Sequence, residues 1–289
     1  MALRPRARKT KGITHGRPPL LKARSATLSS KATRSIIRSH HKLHKEHAKA
    51  IEQGDAAQAS GLERAINDKG GLQSYQIAST LGQSSARGGD SSKVLVEWLQ
   101  EPISNARSRD VRLRMLEIGA LSTKNACSQV DCLDVTRIDL HSQEPGIREI
   151  DFMDLPAPES EGQRYEIISL SLVLNFVPNP AARGAMLRRI PDFLSIDSSK
   201  PASGHFPCLF LVLPLPCVAN SRYLTDGRLA EMMASLGFSL IRVKKTSKLH
   251  YSLWKHGQDD LVRSATFKKE ELRSGSSRNN FAITMLMES

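Results

Sequence analysis

From residue 111 onward, short apolar runs of strand length alternate with stretches of helical periodicity. That alternation confines the chain to a largely parallel sheet with helices on both faces. Seven runs are predicted as strands: Arg112–Ile118, Val135–Leu140, Ile147–Phe152, Tyr165–Leu174, Cys208–Leu213, Phe238–Thr246 and Asn280–Met287. Between the fourth and fifth, Met186, Leu187, Ile190 and Leu194 form a helical stripe within Ala181–Leu194. Between the fifth and sixth, Thr225 and Asp226 open a helix over Thr225–Leu236 that Gly237 closes. A long connection separates the last two strands, which suits an antiparallel edge on a mixed sheet. The predicted class is therefore α/β: a Rossmann-like, seven-stranded, mainly parallel sheet.

Ahead of that region the texture differs. Residues 1–30 are rich in Lys, Arg, Pro, Ser and Thr, which predicts a disordered basic arm. Residues 31–105 are predicted to form a helical N-terminal extension. It comprises helix formers from Lys31 to Gln53, helices over Ala56–Asn67 and Leu72–Leu81, a loop at Ser84–Ser92 and a short amphipathic helix over Lys93–Leu99. The α/β domain then occupies 106–289. Charge follows the same division. Residues 1–50 hold 14 Lys/Arg and one acid, Glu46, and so account for the whole net charge of +13; the remaining residues hold 28 of each sign. A neutral body with a basic arm fits a polyanionic partner, because phosphate neutralisation provides sequence-independent affinity. The cluster Arg4–Lys11 reads equally as a nuclear import signal or an RNA contact. His40, His41, His44 and His47 recur at helical spacing and could share a metal, but with Glu46 the one acid and no cysteine in the stretch, it reads rather as a Lys/His/Arg-rich, RNA-facing helix. Cys127, Cys132, Cys208 and Cys217 form no CxxC pair, and reduced thiols are expected. No apolar run approaches the ~20 residues of a membrane span. Neither a membrane nor a metal is expected among the partners.

In a doubly wound sheet, ligands bind beyond the carboxyl ends of the strands, at the switch point. The first strand ends Glu117-Ile118-Gly119-Ala120, where a glycine lets the backbone turn sharply beside a ligand. A following helix N-terminus is expected to offer free amides. Asp139 ends the second strand, 22 residues after Glu117, a separation that suits an acid receiving both ribose hydroxyls of an adenosine cofactor. The run Gly-Ala-Leu-Ser-Thr-Lys-Asn contains one glycine, not the three of a pyrophosphate-binding G-x-G-x-x-G, so S-adenosylmethionine ranks above NAD(P). Glu117 is a carboxylate for the methionine end. After the third strand, Asp154 or its neighbour Asp151 is placed to meet the adenine amine and Met153 to cover the ring, while Phe152 reads as core. Asn175, polar among apolar neighbours at the end of the fourth strand, is the candidate catalytic residue that would bond the methyl acceptor, or else a turn cap. Asn220, Arg222 and Tyr223, after the fifth strand, are candidate substrate-binding residues: an edge contact, a phosphate ligand and a stacking ring, or else a loop clasp and packing.

The segments LEIGALSTKN, RIDLHS and ISLSLVLNFVP, and most specifically Pro214–Tyr223 within LFLVLPLPCVANSRYLT, resemble the fungal nucleolar methyltransferases of 25S ribosomal RNA. SYQIASTLGQ and GGDSSKVLVEWL upstream resemble them too, so the likeness covers roughly 70–255. It implies a class I methyltransferase that uses S-adenosyl-L-methionine to methylate N1 of an adenine, with Gly119 and Asp139 at the cofactor. It also implies the ribosomal RNA of the pre-60S particle as partner and a nuclear and nucleolar location; a monomer is expected, though no residue pattern speaks to oligomeric state. Similar animal proteins are regarded as S-adenosylmethionine sensors, so a non-catalytic sensor or assembly factor stays open as the alternative.

Overall fold

The structure, a computed structural model, describes residues 53–68, 89–142, 144–196, 204–257 and 265–286, together with scattered helical positions between 35 and 51. The basic arm, most of the histidine cluster and the helix expected over Leu72–Leu81 lie outside the described residues. In chain order the elements are α1 (Ala56–Asp68), α2 (Ser92–Trp98), α3 (Gln100–Ser108), β1 (Leu113–Ile118), β2 (Leu133–Asp139), β3 (Arg148–Glu149), β4 (Ile167–Ser171), α4 (Pro180–Phe193), β5 (Cys208–Pro214), α5 (Leu215–Ala219), α6 (Asp226–Ser235), β6 (Phe238–Lys245) and β7 (Leu249–His256).

The seven strands form one sheet in the order β3-β2-β1-β4-β5-β7-β6. The strands from β1 to β5 pair in parallel, and β7 runs antiparallel to both of its neighbours. A dinucleotide-binding sheet has the order 3-2-1-4-5-6. Here a β6–β7 hairpin inserts its second strand beside β5, which makes the sheet mixed. Period-two alternation along β5 separates the two faces. Leu209, Leu211 and Leu213 join one buried cluster with Met186, Leu187 and Ile190 of α4 and Leu229, Met232 and Met233 of α6. Cys208, Phe210 and Val212 join the other, with Leu95 and Trp98 of α2 and Ile103 and Ala106 of α3. Trp98 meets Phe210 edge-on at 5.9 Å. The layer on this face therefore starts at Ser92, and the boundary drawn at residue 105 falls inside α3.

Two strand expectations are corrected. The seventh strand is Leu249–His256, whose His and Lys disguised a segment buried on both faces, and it follows β6 through a tight turn. Asn280–Met287, expected as that strand, joins no ladder of the sheet. Its buried run Phe281–Met285 lies across α4, with Thr284 N donating to Pro180 O at 3.0 Å. An apolar β-type run thus found its burial against a helix. Gly184 permits this contact: a Cβ there would stand 1.9 Å from Thr284 O and 2.8 Å from Thr284 C. The third and fourth strands are also shorter than expected, because the apolar runs around them continue into turns.

The registers align one transverse row at the carboxyl end of the sheet. Ser171 of β4 opposes Val212 of β5, which opposes Tyr251 of β7, which opposes Lys244 of β6. Gly119 follows Ile118, the partner of Leu170, and so stands level with Ser171.

Because backbone atoms of Thr284 occupy the space a methyl group would need, Gly184→Ala is expected to destabilise the fold by about 1–3 kcal/mol through overpacking. Gly61→Ala in α1, where nothing lies within 4 Å of the built Cβ, is the contrasting control. Urea unfolding checks both: an unshifted midpoint for Gly184→Ala would show that the C-terminal segment does not press on α4.

Candidate functional site

At the end of β1 the backbone turns through Gly119, with φ +77°, a region that L side chains rarely enter. Gly119 N and Ala120 N both donate to Ile138 O, at 2.8 and 3.1 Å, which holds the turn against β2. A Cβ on Gly119 would stand 2.4 Å from Val173 Cγ2. Val173 follows Leu172, which carries φ +59°, a left-handed conformation that costs a non-glycine residue about 1–2 kcal/mol. The chains leaving β1 and β4 thus both turn sharply at adjacent strand ends, and Val173 closes over the missing side chain of Gly119. Between β1 and β4 lies the switch point of the sheet.

Two carboxyl groups lie on the strands nearest that point, Glu117 on β1 and Asp139 on β2. Glu117 is buried, with Asn125 Nδ2 donating to its Oε1 at 2.6 Å and Cys127 Sγ at 3.8 Å from Oε2. Burial pushes its carboxyl up to about 7, against the opposing bond from Asn125; the Asp90 charge adds to the rise and Arg137 reduces it. The same desolvation pushes the Cys127 thiol up to about 12, so it stays protonated. Asp139 ends β2 one strand away. Burial raises its carboxyl also, while His141 N donates to Oδ1 at 2.9 Å. Ile150 N donates to Asp139 O at 2.9 Å, which sets the turn 151–154 directly beside it. In that turn Asp151 Oδ1 accepts from Met153 N at 2.8 Å, Met153 and Asp154 are exposed, and Phe152 packs on Phe193 in the core. The structure brings Gly119, Glu117 and Asp139 together and sets Met153 and Asp154 at the outer rim.

The helix expected directly after β1 does not form among the described residues, and the chain makes only a 3-10 turn, Ala126–Gln129. The intervening run is Leu121-Ser122-Thr123-Lys124-Asn125, whose Ser, Thr and Asn favour turns over helix. The amide that a helix would have left free is taken instead, because Asp90 Oδ2 accepts from Ala126 N. Asp90 also accepts from Ser92 N at 2.8 Å and from Ser92 Oγ at 2.9 Å, and Ser92 Oγ in turn accepts from Cys127 N at 3.1 Å. Ser91 Oγ lies 2.8 Å from Ser171 Oγ at the end of β4. The turn leading into α2 therefore clamps the loops after β1 and β4. Sequence reasoning read Ser84–Ser92 as a loop and missed Asp90 and Asn125. The signal was present as an Asp-Ser-Ser cap just ahead of an amphipathic helix.

Beyond β4, Asn175 Oδ1 is buried and has no hydrogen-bond partner among the described residues. Its loop is fixed by buried Arg183, which donates to Val177 O at 2.8 Å, Pro178 O at 3.2 Å and Ala282 O at 2.6 Å, with Phe281 4.4 Å beneath the guanidinium. Burial lowers Arg183 to about 10, so it remains a cation at neutral pH. Beyond β5, the structure places the three predicted substrate residues in a clasp. Asn220 Nδ2 donates to Ser277 O at 3.2 Å, and Arg222 reaches Asn280 Oδ1 and, at 2.8 Å, Gly275 O. Tyr223 carries Lys269 Nζ 4.6 Å over its ring. Arg273, unanticipated from sequence, donates to the carbonyls of Val218, Ala219, Ser221 and Leu224.

Residues 60–283 match the model of a family described as 25S rRNA (adenine(2142)-N(1))-methyltransferase, Bmt2. The 25S rRNA (adenine(2142)-N(1))-methyltransferase of Saccharomyces cerevisiae is 37% identical over 250 residues, covering 85% of this chain and 70% of its own. The 25S rRNA adenine-N(1) methyltransferase of Schizosaccharomyces pombe is 35% identical over 261 residues, covering 87% and 91%. Among solved structures, TnmH superposes with a TM-score of 0.43 at 11% identity, covering 76% of this chain and 70% of that one.

Gly119→Ala is expected to cost about 2–4 kcal/mol, from the strained φ together with the clash against Val173. Adding Val173→Ala should recover part of that loss by removing the clash while leaving the strain. A double-mutant cycle on unfolding free energies checks the coupling; strictly additive losses would mean that the two residues do not press on each other.

Proposed function

The chain belongs to the Bmt2 family of 25S rRNA (adenine(2142)-N(1))-methyltransferases, and from that premise we propose that it methylates N1 of an adenine in large-subunit ribosomal RNA using S-adenosyl-L-methionine. The observation that carries the reading is that Gly119 and Asp139 follow the paired residues Ile118 and Ile138 at the carboxyl ends of adjacent parallel strands, with Gly119 N bonded to Ile138 O. The residues fit that cofactor. The turn after β1 has one glycine and no helix N-terminus, which disfavours a pyrophosphate, and the buried carboxyl groups of Glu117 and Asp139 on the adjacent strands support a cofactor with a ribose and an amino-acid end. Glu117, with Asn125 fixing one of its oxygens, would meet the methionine end; Asp139 would receive the ribose hydroxyls; Asp151 or Asp154, with Met153, would border the adenine.

When bound, S-adenosylmethionine supplies a methyl group made electrophilic by its sulfonium. Adenine N1 carries a lone pair at neutral pH, so the protein need not remove a proton before the attack. Its task is to align the ring and exclude water. N1 lies on the Watson–Crick edge, so the base must be unpaired or flipped out to reach the crevice. Asn175 is the candidate to hold that edge: its buried Oδ1 lacks a partner, and the exocyclic amine beside N1 is a donor. Methylation leaves the ring cationic, and a polar lining such as the Asn175 oxygen would stabilise that charge. The same reading has the chain act as a monomer on the pre-60S particle in the nucleolus, with the basic arm adding salt-sensitive affinity for RNA. Among the described residues no helix is long and apolar enough to cross a membrane.

Labelled methyl transfer to unmodified large-subunit RNA is expected from the wild-type chain, with the label on N1 of one adenine. Asp139→Ala should weaken cofactor binding roughly 10- to 150-fold, the equivalent of about 1.5–3 kcal/mol for a lost hydrogen bond to a charged group. Cofactor uptake without any transfer would favour the sensor reading, and no uptake would end both.

The pH dependence follows from Glu117. Its carboxyl, raised to about 7, is largely protonated at pH 6 and largely ionised at pH 7.5. A ligand ammonium prefers the ionised form, so cofactor affinity should rise severalfold over that interval. Glu117→Gln should flatten the profile in calorimetric titration; an identical pH slope in both proteins would exclude Glu117 as the titrating group.

A further inference from the structure

We propose that the β6–β7 hairpin tip is a second RNA-contacting surface on the folded body, a phosphate rail that runs from the sheet's open edge toward the crevice; this rests on the RNA-methyltransferase reading above. Residues 239–248 hold Arg242, Lys244, Lys245 and Lys248 and no acid, and all four cations are exposed. Outside residues 1–50 the chain balances 28 basic against 28 acidic residues, so this run is a local segregation of positive charge on an otherwise neutral body. Lys244 and Lys245 lie near Glu97 (3.7 Å) and Asp226 (2.9 Å), pairs whose members are all substantially exposed and so weakly bound. No ion pair among the described residues engages Arg242 or Lys248. Lysines on an edge strand also discourage edge-to-edge pairing, but that does not account for Lys248, which lies in the turn beyond the ladder.

The tip is held firmly. Thr246 N donates to Leu249 O at 2.9 Å, Thr246 Oγ1 accepts from Leu249 N at 3.0 Å, and Lys248 O accepts from Leu215 N at 2.7 Å, which ties the turn to the exit of β5. Its place in the sheet gives it direction. Lys244 occupies the same transverse row as Tyr251, Val212 and Ser171, level with Gly119. Four strand spacings separate Lys244 from Gly119, roughly 19 Å at ~4.8 Å each. At ~3.4 Å per nucleotide along a stacked strand, that is on the order of five to six nucleotides. RNA with its target base in the crevice would therefore reach the hairpin with phosphates a few nucleotides away.

The test uses the full-length chain with Lys244→Glu and Lys248→Glu together, leaving Lys245 on Asp226 at the start of α6. A control, Arg109→Glu with Arg112→Glu, makes the same charge change at the amino end of β1. The expected results for the hairpin variant are a higher KM for large-subunit RNA with kcat and cofactor affinity unchanged. The slope of log affinity against log salt should become shallower by about 1.4–1.8, the value for two lost phosphate contacts. The control should keep a slope close to wild type. Wild-type RNA affinity and slope in the hairpin variant would overturn the rail while leaving the enzyme reading intact, as would an equal loss in the control, which would indicate a net-charge effect. A hairpin variant that loses binding only to an acidic protein partner would overturn it too. A wild-type chain that neither binds nor methylates the RNA would fell the underlying reading along with it.

Discussion

The close approach of Val173 to Gly119 fixes the architecture of the crevice. Two neighbouring parallel strands must let their chains diverge at the carboxyl end if anything is to bind between them. Here β1 turns away through a glycine at positive φ, and β4 turns away through Leu172 in a left-handed conformation that its side chain resists. Val173 then fills the volume that any side chain at residue 119 would need. Neither turn is independent of the other. The strain at Leu172 is carried by the buried sheet beneath it, with Ile167, Ile168 and Leu170 all inaccessible to solvent, and by Leu172 N donating to Val212 O on β5.

The lack of a helix directly after β1 has a second consequence. A Rossmann sheet that binds a pyrophosphate relies on free amides at a helix N-terminus. In this chain the corresponding amides of Ala126 and Cys127 are taken by Asp90 and Ser92, contributed by a turn that precedes the sheet in sequence. The turn after β1 therefore has little to offer a phosphate at these amides. The same contacts make α2 and α3 part of the domain, because they cover one face of the sheet and brace the rim of the crevice. Elements assigned from sequence to an extension are structurally a layer of the core.

What was legible in the sequence followed from local chemistry. The apolar runs of β1, β5 and β6, the capped helix α6 and the Glu-Ile-Gly turn all announce themselves within a few residues. Asp139 was legible because adjacent parallel strands are joined by a connection of characteristic length. What was not legible depended on partners far apart in the chain. Leu249–His256 is strand because β5 and β6 pair on both sides of it, which its own His, Ser and Lys content conceals. Phe281–Met285 looks like a strand, yet Gly184 gives it a berth on α4. The hold of Asn280 and Gly275 on Arg222, across more than fifty residues, was not visible in the sequence either. Asp90 acts 36 residues away on Ala126, a contact that no short-range pattern encodes.

The distribution of charge links these observations to a polyanionic substrate. A crevice lined by Glu117 and Asp139 suits a cationic cofactor and a cationic product, but by itself it repels phosphate. An enzyme that brings RNA to such a crevice must therefore hold the backbone away from the acids while admitting a single base. Positive charge at the β6–β7 tip, four strand spacings from Gly119, would on the proposed reading separate those two tasks. On the proposed reading, a flipped base would bring only an uncharged ring to the acids, and its phosphates would stay with the lysines. On that reading, the 28 cations and 28 acids outside residues 1–50 cancel in sum while each sign would face a different part of the substrate.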